Sequence, residues 1–256
     1  MKVATWNVNS LRVRLDQVCA WLEEAAPDIL AMQETKIPDE EFPHQAFAAL
    51  GYRSVCNGQR GYNGVAVAAR QAPEAIVIDI DGFGDPQRRV LGATIGPLRL
   101  YDLYVPNGQN VESEKYLYKL NWLEALREHL AGEAARHERL LILGDFNIAP
   151  EDRDVHDPAA WEGKVHCTPA ERAALARIVD LGFDDAFRLF DQPERTFSWW
   201  DYRGGAFRRN LGLRIDLILC SKALRSRCRA CDIDPGPRRL ERPSDHAPVV
   251  AEFDLN

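Results

Sequence analysis

The stretch Leu140–Asn147, LLILGDFN, carries an apolar strand directly into a glycine, a carboxylate and an amide. Four consecutive aliphatic residues before a turn residue are typical of a strand. Asp145 and Asn147 therefore stand where this strand ends, on the rim of a sheet. Either residue alone could simply shape a turn, because Asp and Asn often do so.

Short apolar segments of the same kind recur along the chain, separated by turn residues. Their length and their content of β-branched and aromatic residues predict strands. With Leu140–Leu143, the predicted strands are Lys2–Trp6, Ile29–Met32, Val65–Ala69, Ala75–Ile78, Arg89–Ile95, Leu98–Val105, Arg214–Cys220 and Ala247–Phe253.

Three helices are predicted between these strands. Leucines and a valine within Leu11–Leu22 share one helical face, and Pro27 ends that segment. A second apolar stripe runs from Tyr116 to Leu130. The sequence TPAE at Thr168–Glu171 is a capping box with proline at the first helical position, and it predicts a helix that ends near Gly182.

The balance of these elements predicts the fold class. Strands outnumber helices, and the hairpin-like neighbours within residues 65–105 argue against an all-parallel sheet. We therefore expect an α/β fold in which two packed mixed β-sheets are flanked by helices. The sequence has no internal repeat and no linker-like tract, so residues 1–256 are interpreted as a single domain.

Composition excludes several classes of protein. The chain has 256 residues, of which 46% are hydrophobic and 28% charged, which rules out collagen, coiled coil and wholesale disorder. Its apolar runs are too short for a membrane-spanning helix, and its N-terminal residues do not resemble a secretion signal. Six cysteines do not make a disulfide scaffold in a chain of this length, so we expect reduced thiols in a cytoplasmic protein.

Charge is distributed unevenly along the chain. The formal net charge is −7, yet residues 195–243 hold twelve basic and five acidic side chains. This basic stretch is either an ordinary solvated surface or a local phosphate-binding face on an otherwise acidic protein. Its charge alone does not decide between the two.

Polar side chains stand at the ends of six predicted strands, and sheet order brings such sequence-distant ends together. Hard oxygen ligands with few histidines favour Mg²⁺ or Mn²⁺ over zinc. A cation, a carboxylate that activates water and neutral donors to phosphoryl oxygens suit phosphodiester hydrolysis. The residues concerned are Asn7, Glu34, Tyr104, Asn107, Asp145, Asn147, Asp216, Asp245 and His246.

Six collinear motifs around these residues are similar to those of the exonuclease III family, the DNA-repair branch of the endonuclease/exonuclease/phosphatase superfamily. The resemblance implies a four-layer α/β sandwich, a divalent metal, and hydrolysis of DNA phosphodiesters at abasic sites or 3′ ends. The motifs are Thr5–Asn9 (TWNVN), Met32–Lys36 (MQETK), Tyr104–Gly108 (YVPNG), Gly144–Ile148 (GDFNI), Gly212–Asp216 (GLRID) and Ser244–Pro248 (SDHAP).

The resemblance also implies a role for each matching residue. Glu34 resembles the principal ligand of a Mg²⁺ ion, for which Mn²⁺ could substitute, with Asn7 beside it and Asp245 as a further acidic residue of the metal site. Asp145 would orient and deprotonate the attacking water, and Asn147 would help to place it.

The same motifs imply the groups that meet the phosphate. His246, steered by Asp216, would contact the scissile phosphate. Tyr104 and Asn107 would either bind the phosphate or assist the leaving oxygen.

Aromatic and basic residues in the stretch 195–243 are expected to meet DNA. In the family, equivalent aromatic residues line the pocket that receives an extrahelical sugar or a frayed 3′ end. Strand alternation predicts that Trp199 is a core residue and that Trp200 faces the pocket. The other predicted DNA contacts of this stretch are Arg203, Arg208 and Arg209.

One pair of residues departs from the family pattern. Abasic-site endonucleases of this family usually carry Gly or Ser followed by an aromatic residue just before the capping-box helix, where this chain has His166 and Cys167. We expect the His166 imidazole to narrow the pocket and hinder a flipped internal abasic sugar more than a terminal nucleotide. The alternative is that His166 turns outward and changes nothing.

These observations predict a Mg²⁺-dependent 3′→5′ exonuclease and 3′-end-processing enzyme with weak abasic-site incision. A full abasic-site endonuclease is the first alternative. A phosphoinositide or sphingomyelin phosphodiesterase is a distant one, since the sequence has no membrane-facing apolar loop. A catalytically silent binding module should have lost one of Glu34, Asp145 and His246, but all three are present. The expected partner is duplex DNA with abasic sites, nicks or recessed 3′ ends, bound by a monomer at the bacterial nucleoid, with no membrane involved.

Overall fold

Two six-stranded mixed sheets make up the centre of the computed structural model, which describes residues 1–255. The strands are β1 (Lys2–Asn7), β2 (Ile29–Gln33), β3 (Arg53–Asn57), β4 (Val65–Ala69), β5 (Glu74–Val77), β6 (Val90–Ile95), β7 (Leu98–Tyr104), β8 (Leu140–Asp145), β9 (Phe183–Asp185), β10 (Asp216–Ser221), β11 (Cys228–Ile233) and β12 (Val249–Phe253). The helices are α1 (Leu11–Ala25), α2 (His44–Ala49), α3 (Glu114–Arg136), α4 (Pro158–Trp161), α5 (Pro169–Val179) and α6 (Lys222–Arg225).

The strand order is β11-β12-β1-β2-β4-β3 in the first sheet and β5-β6-β7-β8-β10-β9 in the second. The pairs β1–β2 and β7–β8 are parallel, and the remaining pairs are antiparallel. The prediction of two packed mixed sheets with helices outside is therefore confirmed.

Three apolar layers separate the four layers of secondary structure. One lies between the two sheets and includes Val67, Leu100 and Leu143. The second packs α1 and α2 onto the first sheet, and the third packs α3 and α5 onto the second sheet. Strands of both sheets are thus buried on both faces, which is why LLIL at the start of β8 is continuously apolar.

The elements that the sequence did not predict lie at sheet edges or are short. β3 and β9 are the outer strands at one side of each sheet, and β11 is the outer strand at the other side of the first. An edge strand such as β11, CRACDI, mixes charged with apolar residues because one side of it faces solvent. α2 has only six residues, too few for a helical apolar stripe.

The predicted capping box at Thr168 is present. The Thr168 Oγ1 accepts from the Glu171 backbone N–H at 3.1 Å, and Glu171 Oε2 accepts from the Thr168 N–H at 3.1 Å. Such a cap contributes about 1 kcal/mol to helix stability. No helix among residues 1–255 is both long and apolar enough to span a bilayer.

Candidate active site

Strand register collects the predicted residues on one rim of the two sheets. At the end of β8, Asp145 pairs with Tyr104 of parallel β7 on one side and with Asp216 of antiparallel β10 on the other. In the first sheet, Asn7 pairs with Gln33 where β1 and β2 end together. The two rims meet, because the Asn7 side chain reaches Asp145 across the interface between the sheets.

Asn7 joins the two central acids. Its Nδ2 donates to Glu34 Oε1 at 2.9 Å and to Asp145 Oδ2 at 2.9 Å, while its Oδ1 accepts from the Asn9 N–H at 3.0 Å. Two carboxylates that share one amide group repel each other, and a cation between them would relieve that repulsion.

The acids form a group that can hold a metal ion. One carboxylate oxygen of Glu34 and one of Asp145 lie within 4.8 Å of each other and of a ring nitrogen of His246. The two carboxylates offer hard oxygen ligands, which fits Mg²⁺ or Mn²⁺. Lys36 Nζ already lies 2.8 Å from Glu34 Oε2, so the site is built around charge compensation of this carboxylate.

His246 is held as an imidazolium. Its Nδ1–H donates to Asp216, with Nδ1 2.9 Å from Oδ2, and its Nε2 lies 3.8 Å from Asp145 Oδ2. Burial opposes the charge, but the carboxylates of Asp216 and Asp145 outweigh it and raise the pKa of His246 to about 10. A cationic donor therefore faces the rim where a phosphate would sit.

For Asp145, burial outweighs the neighbouring positive charge, so its neutral form is favoured. Its burial, opposed by the charge of His246 and assisted by Asp216, raises the pKa of this carboxyl to about 7. A carboxylate with a pKa near neutrality can take a proton from water and release it again.

Asn147 and Asn107 lie beside Asp145, and Lys119 positions both through their backbone carbonyls. The Asn107 Nδ2 donates to Asn147 Oδ1 at 3.2 Å, and the Asn147 Nδ2 donates to the Val105 carbonyl at 3.0 Å. The buried Lys119 ammonium donates to the backbone carbonyls of both asparagines, at 3.2 Å to Asn107 and 2.7 Å to Asn147. Its third acceptor is the Glu171 carboxylate.

Tyr104 borders the acids on the side of β7. The Arg89 guanidinium lies 4.6 Å from the centre of its ring. Burial and the nearby Glu34 and Asp145 carboxylates raise the pKa of Tyr104 well above its usual value, so its hydroxyl stays protonated.

Asp245 stands apart from the group that could hold a metal. Its Oδ1 accepts from Asn9 Nδ2 at 2.9 Å, and its Oδ2 accepts from the Trp199 indole N–H at 3.0 Å. Asn9 Oδ1 in turn accepts from Lys36 Nζ at 2.6 Å, and Lys36 pairs with Glu34. Asp245 is thus linked to Glu34 through two intervening side chains.

His166 points inward, so the alternative that it turns outward is wrong. Only 8% of the residue is exposed, and its Nδ1–H donates to the Asn147 carbonyl at 2.6 Å. The centre of its ring lies 6.2 Å from that of Trp161 and 6.3 Å from that of Trp199. Burial, with the nearby Lys119, lowers the pKa of His166 to about 4, so the imidazole is neutral.

Cys167 belongs to an apolar cluster with Val155, Leu213 and Ile215, and Trp161 and Trp199 pack against this cluster. Burial raises the pKa of the Cys167 thiol to about 11, which leaves it unreactive. Cys167 therefore contributes to apolar packing in the cluster against which both tryptophans lie.

The assignment of the two adjacent tryptophans was reversed. Trp200 is the core residue, 3% exposed, with its ring edge-on to Phe207 at 5.0 Å. Trp199 is partly exposed and flanks His166. Strand alternation failed here because Trp199 forms only isolated bridges, to Leu213 and to His246, rather than part of a regular strand.

The predicted arginines are all at the surface, outside the acidic group. Arg203 forms an ion pair with Asp201, and 89% of its side chain remains exposed. Arg208 and Arg209 are exposed, and neither forms an ion pair with a residue within 1–255. The structure thus leaves two of the three free to meet an anion.

The sequence interpretation missed four side chains that shape this site: Asn9, Lys36, Lys119 and Trp161. Lys36 and Asn9 stand inside two of the motifs quoted above, and that position was an available signal. Lys119 follows Tyr116 by three residues, which places it on the buried face of α3. Nothing in the sequence around Trp161 indicated that it lies beside His166.

Comparison with known proteins agrees with this geometry. The model of the Endonuclease/Exonuclease/phosphatase family matches residues 4–246. The exodeoxyribonuclease III of Haemophilus influenzae is 38% identical over 99% of this chain and 100% of its own length.

Two kinds of solved structure are also similar. The Neisseria protein NExo, described as a 3′ phosphatase bound to a product DNA hairpin, is 45% identical with a TM-score of 0.98, over 99% of each chain. The Neisseria meningitidis form is described as a 3′-5′ exonuclease and has a TM-score of 0.97. An AP endonuclease from Archaeoglobus fulgidus is 42% identical with a TM-score of 0.96, over 100% of each chain.

Proposed function

The chain belongs to the Endonuclease/Exonuclease/phosphatase family and, within it, to the exodeoxyribonuclease III group, and on that premise we propose that this nuclease trims the 3′ ends of duplex DNA. Its main activities are 3′→5′ exonuclease and removal of 3′-terminal phosphates, with weak incision at internal abasic sites. The observation that carries this choice is the position of the His166 ring beside Asn147, between two tryptophans.

The reaction depends on Mg²⁺, for which Mn²⁺ can substitute. Glu34 supplies the principal ligand, with Asn7 beside it and Asp245 acting through Asn9 and Lys36. When bound, the cation neutralises charge on the phosphate and makes water easier to deprotonate. The hard oxygen donors around Glu34 and Asp145 support this assignment.

The chain's own groups divide the remaining work. Asp145 accepts a proton from the attacking water, and Asn147, bonded to it at 3.2 Å, helps to orient that water. The protonated His246 donates to a non-bridging oxygen of the scissile phosphate while Asp216 fixes its ring. Tyr104 and Asn107 are neutral donors for the phosphate or the leaving oxygen.

The His166 ring explains the preference for 3′ ends. A flipped internal abasic sugar is tethered on both sides and must enter a pocket of fixed width. His166 fills space next to Trp161 and Trp199. Its Nδ1–H is bonded to the Asn147 carbonyl, so swinging the ring aside would break this buried hydrogen bond. A terminal nucleotide is tethered on one side only and needs less of this space.

The similarity to NExo supports this choice, since that protein is described as a 3′ phosphatase and a 3′-5′ exonuclease. The first alternative is a full AP endonuclease, and the similarity to the Archaeoglobus fulgidus enzyme favours it. Phosphoinositide or sphingomyelin hydrolysis has no comparable support. We expect a single-domain monomer that acts on nicked, abasic or recessed DNA in the cytoplasm, at the nucleoid.

Replacement of His166 tests the choice between a 3′-end-processing nuclease and a full AP endonuclease. His166→Gly and His166→Ser should increase the rate of incision at an internal abasic analogue at least about 10-fold. The rate on a 3′-phosphate end should change less than about threefold. His137→Gly, at the end of α3, is the matched control, because it removes an imidazole far from the site. If incision does not rise while 3′-end activity persists, the proposed role of His166 is wrong.

A further inference from the structure

A cavity outside the candidate active site is lined in part by Trp200. It has a volume of about 520 Å³, and we call it the arginine cavity after the residues that line it. Phe197, Trp200 and Phe207 form its apolar part, of which Phe207 is partly exposed while Phe197 and Trp200 are buried. The exposed Arg195, Arg208 and Arg239 surround them. None of the cavity-lining residues is acidic.

The arginine cavity has an excess of positive charge. Arg195, Arg208 and Arg239 form no ion pair with any residue of the described chain, 1–255. Arg195 instead donates to the backbone carbonyls of His156 and Asn210. Like charges gathered without carboxylates repel one another, and an anion in the cavity would relieve that repulsion.

A buried cation next to the cavity adds to this charge. The Arg238 guanidinium lies 5.0 Å from the Phe207 ring centre and 5.9 Å from that of Trp200. Its Nη1 donates to the Ser244 carbonyl, but its buried Nε has no hydrogen-bond partner within residues 1–255. The aromatic wall of the cavity is therefore backed by a fourth guanidinium.

The arginine cavity lies on the same rim of the sandwich as the candidate active site. Ile233, which lines it, pairs with Val249 at the start of β12, and His246 precedes that strand closely. The Trp200 backbone N–H donates to the Asp245 carbonyl at 3.0 Å. One residue thus lines the cavity and is bonded to the acid that borders the catalytic group.

We propose that the arginine cavity binds a nucleotide of the single-stranded DNA that extends opposite a recessed 3′ end. The partly exposed Phe207 ring can meet a base and the surrounding guanidiniums can meet phosphates, which is the combination that single-stranded DNA-binding sites use. The shared rim lets the recessed 3′ terminus occupy the catalytic group while the opposite strand reaches the cavity. This inference rests on the proposed function, since it takes DNA as the substrate.

The test compares one duplex in two forms, blunt and with a 5′ single-stranded extension of about six nucleotides, each ending in a 3′-phosphate. Phosphate release by the full chain gives KM and kcat for each form. The extension should lower the KM of the unmodified protein about 10-fold and leave kcat unchanged. Arg239→Glu should abolish this advantage while leaving KM and kcat on the blunt duplex within about twofold.

Two further variants complete the test. Arg239→Ala should give a smaller loss of the same kind, and its KM for the extended duplex should respond less steeply to salt, because one phosphate contact is removed. Arg53→Glu is the matched control, because Arg53 is an exposed arginine on β3, at the opposite edge of the first sheet from β11. It should leave the advantage of the extension intact.

Two results would overturn the inference. One is an unmodified protein that hydrolyses the blunt and extended duplexes with the same KM. The other is an Arg239→Glu variant that loses activity equally on both. Either result would leave the proposed function standing, whereas failure to release phosphate from any DNA end would remove the proposed function itself.

Discussion

The Nδ1 atom of His246 lies 2.9 Å from Oδ2 of Asp216, and both residues are at least 96% buried. This pairing fixes which nitrogen carries a proton towards Asp216 and leaves Nε2 facing Asp145. The carboxylates, acting against burial, raise the pKa of His246 to about 10. The pair contributes stability that is fully present below about pH 6.5 and is lost as pH rises through 10.

Replacement of Asp216 should therefore change the pH dependence of the reaction. Asp216→Asn removes the nearest negative charge and lowers the pKa of His246, so the imidazolium is lost at a lower pH. We expect kcat to fall about 100-fold at pH 8 and less at pH 6, with the alkaline limb moved to lower pH. A pH–rate profile of the variant checks this, and an alkaline limb that stays in place would contradict it.

Replacement of Asp145 should raise the stability of the protein and lower its activity. Burial raises the pKa of Asp145 to about 7, so above its unfolded value near 4 this carboxylate costs stability. Asp145→Asn should raise Tm in metal-free buffer at pH 8 by about 2–4 °C, which corresponds to about 1 kcal/mol. The same change should lower kcat at least about 10³-fold, because the water then lacks a base.

Calorimetry at pH 8 and pH 4 checks the first part of that expectation, since the gain in Tm should shrink once Asp145 is protonated. Single-turnover hydrolysis of a 3′-phosphate end checks the second. A variant that retains more than a tenth of the rate would show that another group takes the proton.

Lys119 should position both asparagines through their backbone carbonyls. Lys119→Met removes one member of a buried pair and leaves Glu171 uncompensated, which should cost about 3–5 kcal/mol in the free energy of unfolding. The double variant Lys119→Met/Glu171→Gln should recover most of that stability, since glutamine still completes the capping box.

The rate should not recover with the stability. In the double variant the Asn107 and Asn147 carbonyls still lack their shared donor, so kcat should stay about 10–100-fold low with KM nearly unchanged. Urea denaturation and steady-state kinetics on the same samples make the comparison. Full recovery of kcat would show that Lys119 serves stability alone.

Tyr104 should act as a protonated donor. Burial, with Glu34 and Asp145, raises its pKa well above 10, so no phenolate forms in the working pH range. Tyr104→Phe should lower kcat about 10–100-fold without changing the shape of the pH–rate profile between pH 6 and 9. Loss of an ionisation from that profile would assign a titrating role to the phenol instead.

Residues that end a strand were the most predictable part of the site. Asp145 and Asn147 follow a continuous apolar run, and parallel or antiparallel pairing then places Tyr104 and Asp216 next to Asp145. This geometry follows from sheet structure alone, and the two-sheet fold followed from the same pattern of strands.

Residues that depend on tertiary packing could not be found in the same way. The predicted positions of Trp199 and Trp200, core and pocket, were reversed because no regular strand alternation exists at that point in the chain. Lys119 carries a charge that usually faces solvent, and its burial depends on three oxygen acceptors, two in the loops that follow β7 and β8 and one in α5, far apart in sequence. The inward position of His166 is likewise set by its bond to Asn147, nineteen residues away.

One comparison of substrates tests the central claim, that this chain is a metal-dependent nuclease specialised for 3′ ends. The purified chain with Mg²⁺ is offered an internal abasic analogue, a 3′-phosphate end and an undamaged recessed 3′ end under the same conditions. We predict that both 3′ ends are hydrolysed at least about 10-fold faster than the abasic site and that EDTA abolishes all three reactions. Hydrolysis that persists in EDTA, or incision of the abasic site as the fastest reaction, would contradict the claim.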